Sequence, residues 1–372
     1  MQLPTTIIVL TLASVLTPGT ASILKAPLSP CSAPAVLDAG ANVWKDHKLH
    51  VDPYYQASKI ADFGTFIWLR SEDNIQDLRT TVAGVPCDEI VGLVLDNLPY
   101  KGSDTKGSGF NMGTLTEYRN FIDLLAEVIS ASRNTSFAVI VEPRAYPNYL
   151  NDTGASDKLA KSYRENTPYA LRALDLPNVV TYLDVGNSNS MDWGLHRSVA
   201  AKEILSVYGA AGSPHQFRGF ATNVANFNSW GLLPGEFATG DDSRYVRPQN
   251  EQHFVRILSD ALRENGLPAR ATHAIIDTSR SGVSGLRYTW DDWCNIKGAG
   301  FGIRPTSQTG DETLDAFVWV KHPGESDGTS NSSEPGYDEF CGKDDAVKPS
   351  PGSGLWHQAY FEMLVRNADP SL

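Results

Sequence analysis

Positive charge is scarce in this sequence: 31 Lys and Arg stand against 43 Asp and Glu, for a formal net charge of −12. A nucleic acid or an anionic membrane surface needs a basic face, so neither is an expected partner, whereas a neutral polymer is compatible. Long apolar runs are missing as well. The stretch Ile7-Ile8-Val9-Leu10-Thr11-Leu12-Ala13, followed by the small residues Thr20, Ala21 and Ser22, is too short to span a bilayer and has the shape of a signal peptide over residues 1–22, although no Lys or Arg precedes Lys25. The product is therefore expected to be secreted and extracellular. Cysteine is limited to Cys31, Cys87, Cys294 and Cys341. Their spacings suit no zinc site, and no metal or cofactor is expected. In an oxidising compartment they allow three pairings, of which the nearest-neighbour one, Cys31–Cys87 with Cys294–Cys341, is expected. Heptads, repeats with a period of about 20 to 50 residues and a Pro/Ser/Thr-rich linker are also lacking, so residues 23–372 read as one domain with no tethered binding module.

What is present is enough hydrophobic residue (41%, with 10% aromatic) to bury a large core, and three sequons at Asn134, Asn151 and Asn331 that an exported chain would expose to glycosylation. Short apolar runs at 64–68, 90–95, 137–141, 179–183, 219–222, 273–277 and 316–320 alternate with helical patterns at 74–82, 115–132, 156–174, 198–208, 250–265 and 355–367. Strands alternating with amphipathic helices predict an α/β fold, a parallel sheet covered by helices and wound into a barrel. Chemistry in such folds gathers where strands end. The residues following the strands are Arg70, Asn97, Glu142-Pro143-Arg144, Asp184, Asn223, Arg280, Lys321 and Asp327.

Several of these loops read as one signature: Val141-Glu-Pro-Arg144, Tyr182-Leu-Asp-Val-Gly186, Ala221-Thr-Asn-Val-Ala-Asn226, Asp277-Thr-Ser-Arg280, Trp290-Asp-Asp-Trp293-Cys294-Asn295, Gly300-Phe-Gly-Ile-Arg304 and Trp319-Val-Lys321 with Glu325-Ser-Asp327. In order and from about Trp44 to the C-terminus, they resemble the inverting cellulases of glycoside hydrolase family 6. The resemblance implies a distorted parallel β/α barrel of about seven strands, with a cleft or tunnel at the strand C-terminal ends. It also implies a β-linked glucan, such as a cello-oligosaccharide or cellulose, as the partner. The family's reaction uses an aspartic acid to protonate the leaving oxygen and a second carboxylate to assist water from the opposite face.

The sequence departs from that pattern at the acid. Arg144 stands where the family has the aspartic acid after Glu-Pro, and a guanidinium, which stays protonated, delivers no proton at a workable pH. Gly102 matches the supporting aspartate in the loop Asn97-Leu-Pro99-Tyr100-Lys-Gly102-Ser103-Asp104, and Arg70 matches a third aspartate. Ser103 and Asn166 replace the two cysteines of one family disulfide, so this loop has been rebuilt as a unit. Asp327, the base candidate, is retained with Lys321 and Glu325 beside it, as is the Cys294–Cys341 bridge. Asp104 and Glu142 are the substitute acid candidates, the first set against a solvated turn residue and the second against a structural anchor. Arg144 and Arg70 are expected to pair with Asp327 or Glu325 and neutralise the old site.

Trp68, Trp193, Trp290 and Trp293 match positions where the family stacks glucose rings, and Asn223 and Asn226 lie in a substrate-binding loop. Another family platform is replaced by Asn187-Ser-Asn-Ser190. His273 and His357 read as core or capping residues. Three functions follow. The foremost is a secreted, monomeric glucan-binding protein whose hydrolysis is lost or strongly reduced, since general acid catalysis supplies roughly 10²–10⁴-fold. The alternatives are an active inverting β-1,4-glucanase with a relocated acid, and an interaction protein using the cleft for a non-glucan ligand.

Overall fold

A computed structural model describes residues 31–51, 60–101, 114–147, 157–188, 193–231, 250–289 and 291–372. Eight strands, β1 (Lys48–Leu49), β2 (Ile67–Leu69), β3 (Glu89–Leu95), β4 (Ser136–Val141), β5 (Val179–Asp184), β6 (Phe217–Thr222), β7 (His273–Asp277) and β8 (Leu314–Val318), form one sheet in which every pairing is parallel. From β3 to β8 the strands pair in sequence order, as short βαβ crossovers dictate. β1 and β2 both pair β3, the first along Glu89 and Ile90 and the second along Leu93 to Leu95. Together they fill a single strand position, so the sheet has the seven positions expected, in a nearly closed barrel. The seam between β2 and β8 carries no ladder among the described residues. It is bridged by the Phe66 main-chain N–H donating to the Trp319 carbonyl at 3.2 Å and by the Trp68 indole N–H donating to the Val320 carbonyl at 2.9 Å. The two-residue β1 was missed from sequence because so short a piece carries no period.

Alternation along the strands separates two cores. Ile90 and Val94, with Ala138, Ile140, Val180, Tyr182, Ile275 and Val318, fill the barrel interior. Val91, Leu93 and Leu95, with Phe137, Val139 and Val141, meet the surrounding helices. Gly92 faces inward because a Cβ there would lie 2.6 Å from the Phe66 ring. At the strand N-terminal end Arg218 binds Asp315 through two hydrogen bonds of 2.7 and 2.8 Å, and Tyr182 donates to the same carboxylate at 3.0 Å. That buried pair is therefore a structural plug. His273, expected as a core or capping residue, is half-buried 3.6 Å from Asp315, and His357 is buried just before the last helix with its ring against Tyr360 and no side-chain capping bond.

Helices α1 (Glu72–Thr81), α2 (Leu115–Ala131), α3 (Asp157–Ala173), α4 (Trp193–Ala210) and α5 (Glu251–Glu264) cover the barrel, while α6 (Glu339–Gly342) and α7 (Gln358–Arg366) follow β8. In α5 the buried Phe254, Val255, Leu258, Ala261 and Leu262 recur at helical spacing, and Asn250 caps the start by accepting from the His253 N–H at 2.9 Å. Both disulfides form as expected, Cys31–Cys87 and Cys294–Cys341.

Candidate functional site

The loops at the strand C-terminal ends build two charged groups. Among the described residues, seven non-glycine residues have positive φ, and all but Ser213 lie here: Tyr100, Glu142, Arg144, Asn223, Ala225 and Asn295. Each such conformation costs on the order of 1 kcal/mol or more, and strain of this kind persists where surrounding bonds hold it.

The first group follows β6, β7 and β8. Asp277, at the end of β7, accepts main-chain N–H bonds from Ser279, Ala225, Val320 and Lys321 at 2.9 to 3.1 Å. One carboxylate thus fastens the loops of three strands. On that base sits Asp327, whose side chain is 8% exposed. It accepts from Arg280 Nη1 at 2.6 Å and from the Asn295 N–H at 2.9 Å, and its other oxygen lies 3.7 Å from Lys321 Nζ. Burial alone would raise the Asp327 pKa, but Arg280, Lys321 and the Asn295 N–H overcome it and hold the carboxylate below its usual range. Arg280 is itself buried, over the Phe227 ring at 4.1 Å. Glu325 is likewise held low: burial opposes ionisation, while a 2.9 Å contact with His322 and the charges of Lys321 and Arg70 favour it.

The second group follows β2, β3, β4 and β5. Asp96 accepts from Arg70 Nε at 2.9 Å and from Lys101, which also donates to Glu142 at 2.7 Å. Burial pushes the Asp96 pKa up, yet Lys101, Arg144 and Arg70 together hold it far below the usual carboxylate range. Glu142 is buried and accepts from the N–H groups of Asn97 and Leu98 at 3.1 and 2.9 Å. It ties the end of β4 to the loop after β3, the place of an anchor; burial is the main cause that raises its pKa. Asp184 accepts from the N–H groups of Arg144 and Gly186 at 2.9 and 3.1 Å. Burial outweighs those bonds and the nearby cations and raises its pKa to about 7.

The expected pairing of Arg144 and Arg70 with Asp327 or Glu325 is corrected. The guanidinium on Asp327 belongs to Arg280, and Arg70 pairs with Asp96. The register explains it: Leu69 is opposite Leu95, so the residues that follow them, Arg70 and Asp96, leave the sheet side by side. Arg144 places its main-chain N–H on Asp184, and the residue is exposed. Asn223, expected to bind substrate, is buried, and its amide bonds to the carbonyls of Asn228 and Asp277 and to the Ser281 hydroxyl. Asn226 is half-buried and receives Arg287 at 2.9 Å. Trp68 is half-buried with the Arg70 guanidinium 4.5 Å from its ring centre, and Trp293 is half-buried against Phe340. Gly102, Asp104, Asn151 and Trp290 lie outside the described residues, as does the side chain of Trp193. Asn166, in α3, accepts from Arg119 at 3.2 Å. Asp96, Lys101 and Asn295 were missed; Asp96 could have been found, because it ends the β3 run directly before Asn97.

Known proteins resemble this chain in sequence and fold. The model of glycosyl hydrolases family 6 matches residues 37–368. A 1,4-beta-D-glucan cellobiohydrolase, CEL6C, from Podospora anserina is 44% identical, covering 92% of this chain and 91% of that one. A putative endoglucanase type B from Fusarium oxysporum is 36% identical, covering 85% and 70%. Among solved structures, cellobiohydrolase II (Cel6A) from Humicola insolens in complex with glucose and cellotetraose superposes with a TM-score of 0.82 at 31% identity, over 89% of this chain and 100% of that one. The catalytic core domain of Cel6A from Chaetomium thermophilum gives 0.82 at 32% identity, over 89% and 99%. With the family model running nearly end to end and the barrel matching as closely as the sequence, this chain belongs to glycoside hydrolase family 6.

Proposed function

We propose that this chain acts on β-1,4-glucan as an inverting glycoside hydrolase, binding the polymer at the strand C-terminal ends and using Asp327 to assist the attacking water. The setting of Asp327 carries this reading. A base must stay unprotonated and fixed, and Arg280, Lys321 and the Asn295 N–H supply both conditions. The names of the relatives, cellobiohydrolase and endoglucanase, support the same activity. Arg144 cannot be the acid. Asp96 is held ionised, and Glu142 and Asp184 are buried under main-chain N–H bonds; of the two substitute candidates named from the sequence, Asp104 is taken as the donor. The two disulfides support export to an oxidising compartment, after removal of residues 1–22 as a signal peptide. The exposed Asn134 and Asn331 are open to glycosylation there, and the single domain of residues 23–372 works as a monomer.

The test is reducing-end release from cellohexaose, with the anomer of the fresh product read by NMR. The wild type releases the α-anomer, and both D327N and D104N stop it. Release that survives D327N rejects the assignment.

One observation favours a second reading, a glucan-binding protein without hydrolysis: the exposed Arg144 occupies the position after Glu-Pro. Heat of binding to cellotetraose with no sugar released would establish this reading over the first. No binding to any glucan would reject both.

A further inference from the structure

The group beside Arg144 gathers three cationic side chains within an acidic protein. Three positively charged side chains, Arg70, Lys101 and Arg144, surround one carboxylate held ionised, Asp96, and two whose ionisation burial opposes, Glu142 and Asp184. Lys101 is buried between Asp96 and Glu142. The two arginines are turned outward. Arg144 is exposed, on a backbone fixed at φ 66° by the bond from its N–H to Asp184. Arg70 exposes half of its side chain, and of its donors the Nε is used on Asp96 while the flat guanidinium lies over Trp68. Both guanidinium groups act on the same Asp96 carboxyl, and Arg70 also acts on Lys321 and Glu325 across the cleft. Lys101 ties Asp96, the partner of Arg70, to Glu142, two residues before Arg144, so the two arginines follow strands that flank β3.

A neutral glucan offers a guanidinium only hydroxyl acceptors, whereas a carboxylate meets it with two parallel charge-assisted hydrogen bonds, roughly twice as strong. We propose that Arg144, with Arg70, binds a carboxylate at the C1 end of a β-1,4-glucan chain, so that the preferred ligand is a cello-oligosaccharide ending in an aldonic acid. The inference rests on the glucan reading above, because position 144 is taken to face the oxygen on C1. Oxidation at C1 places a negative charge on that carbon, opposite the position where an arginine replaces a proton donor. Oxidative cleavage of the glucan is the class of reaction that supplies such ends.

Calorimetry on the full-length secreted protein with cellotetraonic acid and with cellotetraose tests this. The acid is expected to bind about tenfold tighter at low ionic strength, the size of one charge-assisted contact, with the preference shrinking as salt is added. R144Q and R70Q are each expected to bring the ratio of the two affinities toward one, with the thermal midpoint checking that the variants remain folded. Equal affinities in the wild type, or a ratio that survives both substitutions, overturn the proposal while leaving the glucan reading in place. Failure of both ligands to bind overturns the two together.

Discussion

The two sides of this cleft solve the same electrostatic problem in opposite ways. Around Asp327, one buried arginine, one lysine and one main-chain N–H converge on a single carboxylate, and the loops beneath are fastened by Asp277. Around Arg144, charge is spread over three cations and three acids, with Arg70 and Arg144 reaching solvent. A converging arrangement fixes one ionisation state and one geometry. A spread arrangement tolerates replacement of its members.

The contrast is sharpest at the arginines. R280A leaves Asp327 covered and without its main partner, so a loss of about 3–5 kcal/mol is expected in chemical denaturation. A cost below about 1 kcal/mol would show that Lys321 and the Asn295 N–H suffice and would erase the distinction. Next in size is Asp184. Its pKa is raised when folded to about 7 from an ordinary 3.8, so the stability lent by the neutral acid is full below about pH 4 and is lost as pH rises toward 7. D184N removes that titration, and the wild type should lose roughly 3 kcal/mol relative to it over this range. A difference that stays constant with pH would mean that the carboxyl is already ionised. Smallest is R70A, expected to cost under about 1 kcal/mol because the side chain is half exposed and Asp96 keeps Lys101. A loss as large as that of R280A would make the two sides alike.

The barrel was legible because its strands are continuous apolar runs and its helices keep a 3.6-residue period. Bounds moved by a few residues: the run at 64–68 is observed as Ile67–Leu69, since Phe66 already bonds across the seam, and the run at 316–320 as Leu314–Val318. The place of Asp327 close to Lys321 was legible from the motif. The partners of the arginines were not. Pairing of Arg70 with Asp96 depends on strand register, which a period of two cannot fix by itself. Asn223 was misread as a ligand contact because a polar residue after a strand looks the same in sequence whether its amide turns to the cleft or, as here, inward to Asn228 and Asp277.

The knot at Asp277 has a consequence for how this protein can change. Three loops hang from one carboxylate, so displacing any of them breaks bonds that the other two need. Variation on that flank has to arrive in concert or not at all, and new specificities will be found first on the opposite flank, where neighbours can be exchanged one at a time.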